Sequence, residues 1–287
     1  MYDRHMLRRL QLTQLEMLKM VKAICEEHDI SFSLYGGTLL GAVRHKAFIP
    51  WDDDLDICMT RSEFSRFVQA WENKEPDGYY LQTIEKDEEF TQTFAKIRKK
   101  GTTFVQQGDL GLRYNKGIFI DIFILDKVPK NKCLRLLQRG CGYLNLLYSR
   151  KFPPYDNGAL TRLLGSLLLK VVPKNRYRVV RAFCVRQLAA YNKTDANYYI
   201  DSSTVKALKR YIPKSAVEEI VFLEFEGELF PCFSDWDNYL QQTYGNYMDL
   251  PPVEERVMAH SAICIDFERS YEEVLAESNN NGSDRSA

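Results

Sequence analysis

Two strand-like runs in this chain carry aspartates where a sheet would ordinarily carry core residues, and this constrains the fold more than any other feature. The first is WDDDLDICM, residues 51 to 59. Side chains on a strand alternate between its faces, so Asp52, Asp54 and Asp56 share one side while Leu55 and Ile57 face the other. The second is GIFIDIFIL, residues 117 to 125, in which Asp121 stands among Ile118, Phe119, Ile120, Ile122, Phe123 and Ile124. An unpaired carboxylate in such surroundings costs on the order of several kcal/mol of desolvation. Carboxylates this close repel one another unless a cation lies between them. One sheet that sets Asp121 beside Asp54 and Asp56 would give all three the same cation. An ion pair with Lys96 or Arg98 is the plainer solution for Asp121.

Hard oxygen ligands favour Mg²⁺, with Mn²⁺ as the alternative, over zinc. Such a triad suits phosphoryl or nucleotidyl transfer. A calcium loop is the rival reading, since Asp52, Asp54, Asp56 and Glu63 take positions 1, 3, 5 and 12 of an EF-hand. Position 6 of that loop requires glycine and here is Ile57, which excludes it. Upstream, Gly36-Gly37 precedes a short helix predicted through Val43 with Thr38 as its cap. Residues without Cβ allow backbone N–H groups at a helix start to approach a phosphate.

The surrounding pattern predicts an α/β (α+β) core. Apolar residues at three- and four-residue steps mark a helix over 7 to 28. Strands are expected at 32 to 35, 54 to 59, 79 to 84, 93 to 98, 102 to 105 and 117 to 125. Thr60 and Glu63 form a capping-box pattern for a helix reaching Trp71. The expected division is a catalytic core over 1–126, a basic helical lobe over 127–210, a C-terminal part over 211–276 that completes the site, and a disordered tail over 277–287.

Charge is unevenly spread. The chain has 39 basic and 39 acidic residues, which argues against a uniformly basic nucleic-acid binder. Yet residues 127 to 194 hold fifteen Lys or Arg and one acid, Asp156. In that stretch Leu160, Leu163, Leu164, Leu167, Leu168 and Val171 recur at helical spacing. Core packing is the commoner fate of such a stripe. Its basic flank offers another reading, peripheral contact with an anionic membrane. Seven cysteines without a C-x-x-C pair, and no recognisable signal peptide, point to a cytoplasmic protein, peripheral on the inner face of the membrane under the second reading.

The residues now assembled resemble those of the LicD family of phosphotransferases, which includes bacterial choline-phosphate transferases of surface glycans and, more distantly, fukutin and fukutin-related protein. The resemblance rests on Gly36-Gly37, Leu39-Leu40-Gly41, Arg44-His45 and Ile49-Pro50-Trp51-Asp52-Asp53-Asp54-Leu55-Asp56. It continues in Phe94 to Arg98, in the strand around Asp121, and near the end in Tyr244 to Met248, Leu250-Pro251-Pro252, Arg256 and His260. It implies a nucleotidyltransferase-like mixed sheet core with a helical insertion lobe. It also implies Mg²⁺-dependent transfer of a phospho-alcohol, phosphocholine or similar, from a CDP-activated donor to a sugar hydroxyl, with release of CMP. The acceptor would be a glycan or lipid-linked glycan of the lipopolysaccharide or teichoic acid kind. By position, Asp54, Asp56 and Asp121 would be catalytic, and with Asp52 would hold the metal. Gly36, Gly37, Thr38, Arg44, Lys96 and Arg98 would meet the donor. Pro251-Pro252 predicts the start of a helix that places Arg256 and His260 one turn apart. A metal-dependent glycosyltransferase and a non-catalytic glycan-binding protein are the competing functions.

Overall fold

In the computed structural model, which describes residues 3–74, 76–152, 159–260 and 262–283, the first helix runs over Arg4–Glu27 (α1). Asp3 caps it by accepting from the Met6 amide at 2.7 Å. Leu10, Met17, Leu18, Val21, Ile24 and Cys25 bury its inner face. Gln11 and Gln14 lie on that same buried face.

Strands Ser33–Leu34 (β1), Asp56–Thr60 (β2), Tyr79–Gln82 (β3), Ala95–Lys99 (β4) and Phe119–Lys127 (β6) form the central sheet in the order β1-β2-β6-β4-β3. Here β5 is Thr103–Gln106, which pairs elsewhere, with Ala262–Asp266 (β11). β2 and β6 run parallel, while β4 is antiparallel to β6. Further along β6, Tyr198–Asp201 (β7) joins, followed by Ile212–Pro213 (β8). Helix Arg61–Lys74 (α3) packs with α1 beside this sheet, burying Phe67, Ala70 and Trp71. A hairpin of Ile220–Phe225 (β9) and Glu228–Phe233 (β10) lies against β1 and the helix Gly36–His45 (α2).

The helical lobe consists of Lys132–Arg150 (α4), Ala159–Val171 (α5) and Tyr177–Ala189 (α6). Asn131 Oδ1 caps α4 through the amides of Cys133 and Leu134. Helices Lys214–Glu218 (α7), Trp236–Tyr244 (α8) and Tyr271–Ser283 (α9) complete the described chain.

Several expectations give way to geometry. α2 begins at Gly36, so Thr38 lies inside it, and the Thr38 hydroxyl accepts the Asp56 amide at 2.8 Å instead of capping. Only half of the expected capping box forms. The Glu63 amide donates to Thr60 Oγ1, but the Glu63 carboxylate accepts from the Ser31 amide and pairs with Arg66. The helical lobe ends before 210, because β7 hydrogen-bonds to the C-terminal end of β6. Pro251-Pro252 starts no α-helix: a three-residue 3₁₀ turn, Val253–Glu255, ends at Arg256. At the C-terminus α9 continues through Ser283 where disorder was expected from 277, while 284–287 lie outside the described residues. The leucine stripe does not pack into a core. Leu163, Leu164, Leu167, Leu168 and Val171 are all exposed, while Leu160's side chain and Asp156 lie outside the described residues.

Candidate active site

The sheet register sets three charged side chains in one row. Asp56 on β2 pairs with Asp121 on β6, and Asp121 in turn pairs with Lys96 on β4. Lys96 Nζ lies 2.6 Å from Asp121 Oδ1 and 3.4 Å from the centre of the Phe119 ring. The ion pair considered for Asp121 is therefore formed, with Lys96 as its partner. Burial lowers the Lys96 pKa, and Asp121 partly offsets this.

Ahead of β2, Asp52 and Asp54 lie close enough to share a hydrogen bond. Burial pushes the carboxyls of Asp52, Asp54 and Asp56 above the usual range; the Asp54 charge adds to this at Asp52 and Asp56, and at Asp54 His260 opposes it while Asp121 and Asp53 add to it. Asp56 Oδ1 is buried with no hydrogen-bond partner among the described residues. Asp54 keeps 18% of its side-chain surface and His260 22%, so the group opens to solvent on their side.

The glycine pair gives these carboxylates room. A Cβ on Gly36 would lie 2.7 Å from Asp56 Oδ2, and one on Gly37 would lie 2.8 Å from Asp52 Oδ2. Gly36 also has φ +53°, in the left-handed region that side chains disfavour. Both carboxylates thus sit against the first turn of α2, whose free amides favour negative charge.

Two groups of residues that the sequence analysis did not single out hold this segment. Asp53 is fully buried. Its carboxylate accepts from the Ala259 and His260 amides at 3.1 to 3.2 Å and lies 3.3 Å from His260 Nδ1. On the other side of the segment, Gln11 Nε2 donates to Asp52 O at 2.9 Å, and Gln14 Nε2 to Asp53 O at 3.0 Å and Phe119 O at 3.2 Å. Two amides on the apolar face of α1 were the available signal. Gln14→Leu is expected to leave both carbonyls unpartnered and to cost about 1–3 kcal/mol of stability. Urea denaturation checks this, and an unchanged midpoint would show that the bonds carry no weight.

His260 reaches the site without a helix. Its Nδ1 is 3.6 Å from Asp54 Oδ2. Burial alone would lower its pKa, but the Asp53 hydrogen bond and the Asp54 charge outweigh burial and raise it. Among the described residues, Asp53, Asp54 and His260 bring ligand atoms within 4.8 Å of one another, a grouping that could hold a metal ion. Asp53 is already engaged by three donors.

The remaining basic residues differ in placement. Arg44 donates to Tyr247 O at 2.7 Å and ties α2 to the C-terminal segment. Arg256 donates to Pro251 O and stacks over Trp51 with its Cζ 5.5 Å from the ring centre. Arg98 is buried, its guanidinium committed to Gln82 Oε1 and Gly117 O. Lys46 pairs with Glu224 on β9, on the far side of α2.

Comparison with known proteins decides the family. Residues 29–134 match LicD/FKTN/FKRP, nucleotidyltransferase domain. Over 263 residues the chain is 34% identical to the lipopolysaccharide cholinephosphotransferase LicD of Haemophilus influenzae, covering 88% of this chain and 96% of that protein. The chain belongs to the LicD family. It is accordingly a transferase enzyme, not a glycan-binding scaffold. An uncharacterized protein of Rickettsia prowazekii is 30% identical over 40% of each chain. The matched LicD domain contains Gly36, Gly37, all the aspartates discussed and Lys96. Gln11, Gln14 and His260, which position the segment around Asp53, lie outside it.

Proposed function

We propose that this LicD-family enzyme transfers phosphocholine, or a similar phospho-alcohol, from a CDP-activated donor to a sugar hydroxyl of a lipopolysaccharide-type glycan, releasing CMP. The reading is supported by the near full-length similarity to a cholinephosphotransferase. The observation that carries it is the register row of Asp56, Asp121 and Lys96 with Asp54 at its open side. The orphaned Asp56 Oδ1 and the all-oxygen character of Asp52, Asp54, Asp56 and Asp121 fit a hard divalent ion, Mg²⁺ or Mn²⁺. Asp54, Asp56 and Asp121 would hold it, with Asp52 supporting them. Such an ion supplies charge stabilisation at the phosphoryl oxygens.

The chain's own residues then have distinct tasks. Lys96 holds Asp121 through one oxygen and leaves the other for a ligand. Asp53 fixes the 259–260 backbone and orients His260 at the mouth beside Asp54. Gly36 and Gly37 keep the first turn of α2 close to the carboxylates, where its amides and those of Thr38 can meet the donor phosphates. Arg44 sits at the end of the same helix and adds positive charge. All seven cysteines are free, which supports a reducing, cytoplasmic location.

Purified protein incubated with CDP-choline, Mg²⁺ and a glycan acceptor is expected to release CMP in step with acceptor phosphorylcholination. CDP-ribitol and CDP-glycerol in parallel identify the alcohol. Release of a nucleoside diphosphate from a sugar nucleotide, with none of the CDP-alcohols consumed, would replace this reading with glycosyl transfer.

A further inference from the structure

The arc of α5 that carries Leu163, Leu164, Leu167, Leu168 and Val171 faces outward, and these side chains are 67%, 51%, 56%, 39% and 68% exposed. Gly165, within the same helix, is buried. Contacts to the backbone of its last turn hold α5 to the lobe. Tyr148 on α4 donates its hydroxyl to Leu168 O at 3.0 Å, and Tyr177 on α6 donates to Leu169 O at 2.7 Å. These bonds hold the last turn through its backbone carbonyls and leave the leucines unburied. An apolar face of this size on a surface helix marks an interaction site.

Charge identifies the occupant. The lobe carries fifteen basic residues and one acid between 127 and 194. Among the described residues, Arg150, Lys170, Lys174 and Arg176 form no ion pair; Lys170 lies on α5, Lys174 and Arg176 follow its end, and Arg150 lines a cavity with α5 leucines. Beside α5, a cavity of about 380 Å³ is lined by Tyr143, Leu147, Leu164 and Leu168, with Arg150 and Lys209 among its walls. Exposed leucines flanked by unpaired cations, over an apolar cavity walled in part by Arg150 and Lys209, match acyl chains beneath phosphate headgroups. A soluble polyanion would use the cations and leave the leucines in water. No helix among the described residues is long and apolar enough to cross a membrane, so the contact is one of lying in the surface.

We propose that α5 seats its leucine arc in the headgroup region of an anionic bilayer, with Arg150, Lys170, Lys174, Arg176 and Lys209 against the lipid phosphates. The surface stands on the lobe alone, independently of the donor and acceptor chemistry.

Flotation of the full chain with phosphatidylglycerol-containing vesicles tests it, against pure phosphatidylcholine vesicles. At low ionic strength, partitioning into the anionic vesicles is expected to exceed that into the neutral ones at least ~10-fold. This preference should weaken at physiological salt, where screening acts over about 8 Å. Leu163→Gln, Leu164→Gln and Leu167→Gln combined replace exposed side chains and are expected to lower anionic partitioning ~10-fold or more while the protein stays folded. Lys170→Gln, Lys174→Gln and Arg176→Gln combined should abolish the anionic preference. Turnover of donor in vesicle-free solution should be unchanged in both variants. Equal partitioning of wild type into both vesicle types at low salt would overturn the proposal. So would unaltered binding of the leucine variant, or retention on heparin without vesicle partitioning.

Discussion

Asp54→Asn is expected to lower turnover at least ~100-fold, which corresponds to about 2.7 kcal/mol of lost transition-state stabilisation. The side chain keeps 18% of its surface, with His260 3.6 Å away and Asp52 and Asp121 acting on it. Its removal takes a charged ligand from the row while leaving the sheet register intact. Stability should move the other way. A carboxyl whose folded pKa is raised above its unfolded value opposes folding once the pH exceeds the unfolded pKa, and the Asp54 carboxyl is raised by burial and by neighbouring charge. In chelator at neutral pH, Asp54→Asn should therefore melt at or above the wild-type temperature. Added Mg²⁺ should raise the melting temperature of wild type and not of the variant, since a ligand stabilises the state that binds it. Turnover near wild type in a folded variant would remove Asp54 from the chemistry. Asp121→Asn is a poorer test. It leaves Lys96 buried without its counter-charge, which costs about 3–5 kcal/mol and confounds activity with folding.

The glycine pair gives the second large effect. Gly37→Ala would ordinarily stabilise a helix by up to about 1 kcal/mol. Here the new methyl would lie 2.8 Å from Asp52 Oδ2, so Asp52 must move, and Asp54 with it. The expected result is a stability change near zero with turnover about tenfold lower, by analogy with small displacements of positioned groups. Gly37→Val, whose branches crowd the first turn of α2 further, should lose more. Thermal melts beside steady-state rates separate the two quantities. A Gly37→Ala enzyme that is more stable and equally active would show that the close packing of Asp52 serves no catalytic purpose.

Much of this site is readable from sequence because strand alternation is a strict geometric rule. It placed Asp56 and Asp121 on strands, and the parallel pairing of β2 with β6 sets Asp56 beside Asp121, whereas Asp54, expected on the same strand, lies just ahead of β2. Asp53 escaped notice because it stands ahead of β2, where strand alternation does not apply and a run of three aspartates looks like a solvated turn. Its partners are backbone amides some 206 residues later, which carry no side-chain signature. His260 was legible as a candidate but not in its geometry. After Pro252 the chain makes a single 3₁₀ turn, and Asp53 satisfies the following amides in place of helix carbonyls. The α5 leucines show the converse limit. Helical periodicity shows which residues share a face, but not whether anything covers it.

The buried Asp53 carboxylate bears on how far this catalytic unit can be reduced. Its supports come from α1 through Gln14, which holds its own carbonyl, and from residues 259 and 260 near the opposite end of the chain. A fragment trimmed to the matched domain, residues 29 to 134, would keep the aspartates but strand Asp53 as an uncompensated charge inside the protein and free the loop that carries its neighbours. The recognisable domain is therefore not a module that could be grafted onto another scaffold. Its chemistry is portable only with nearly the whole polypeptide, and swaps between relatives should exchange both termini together with the centre.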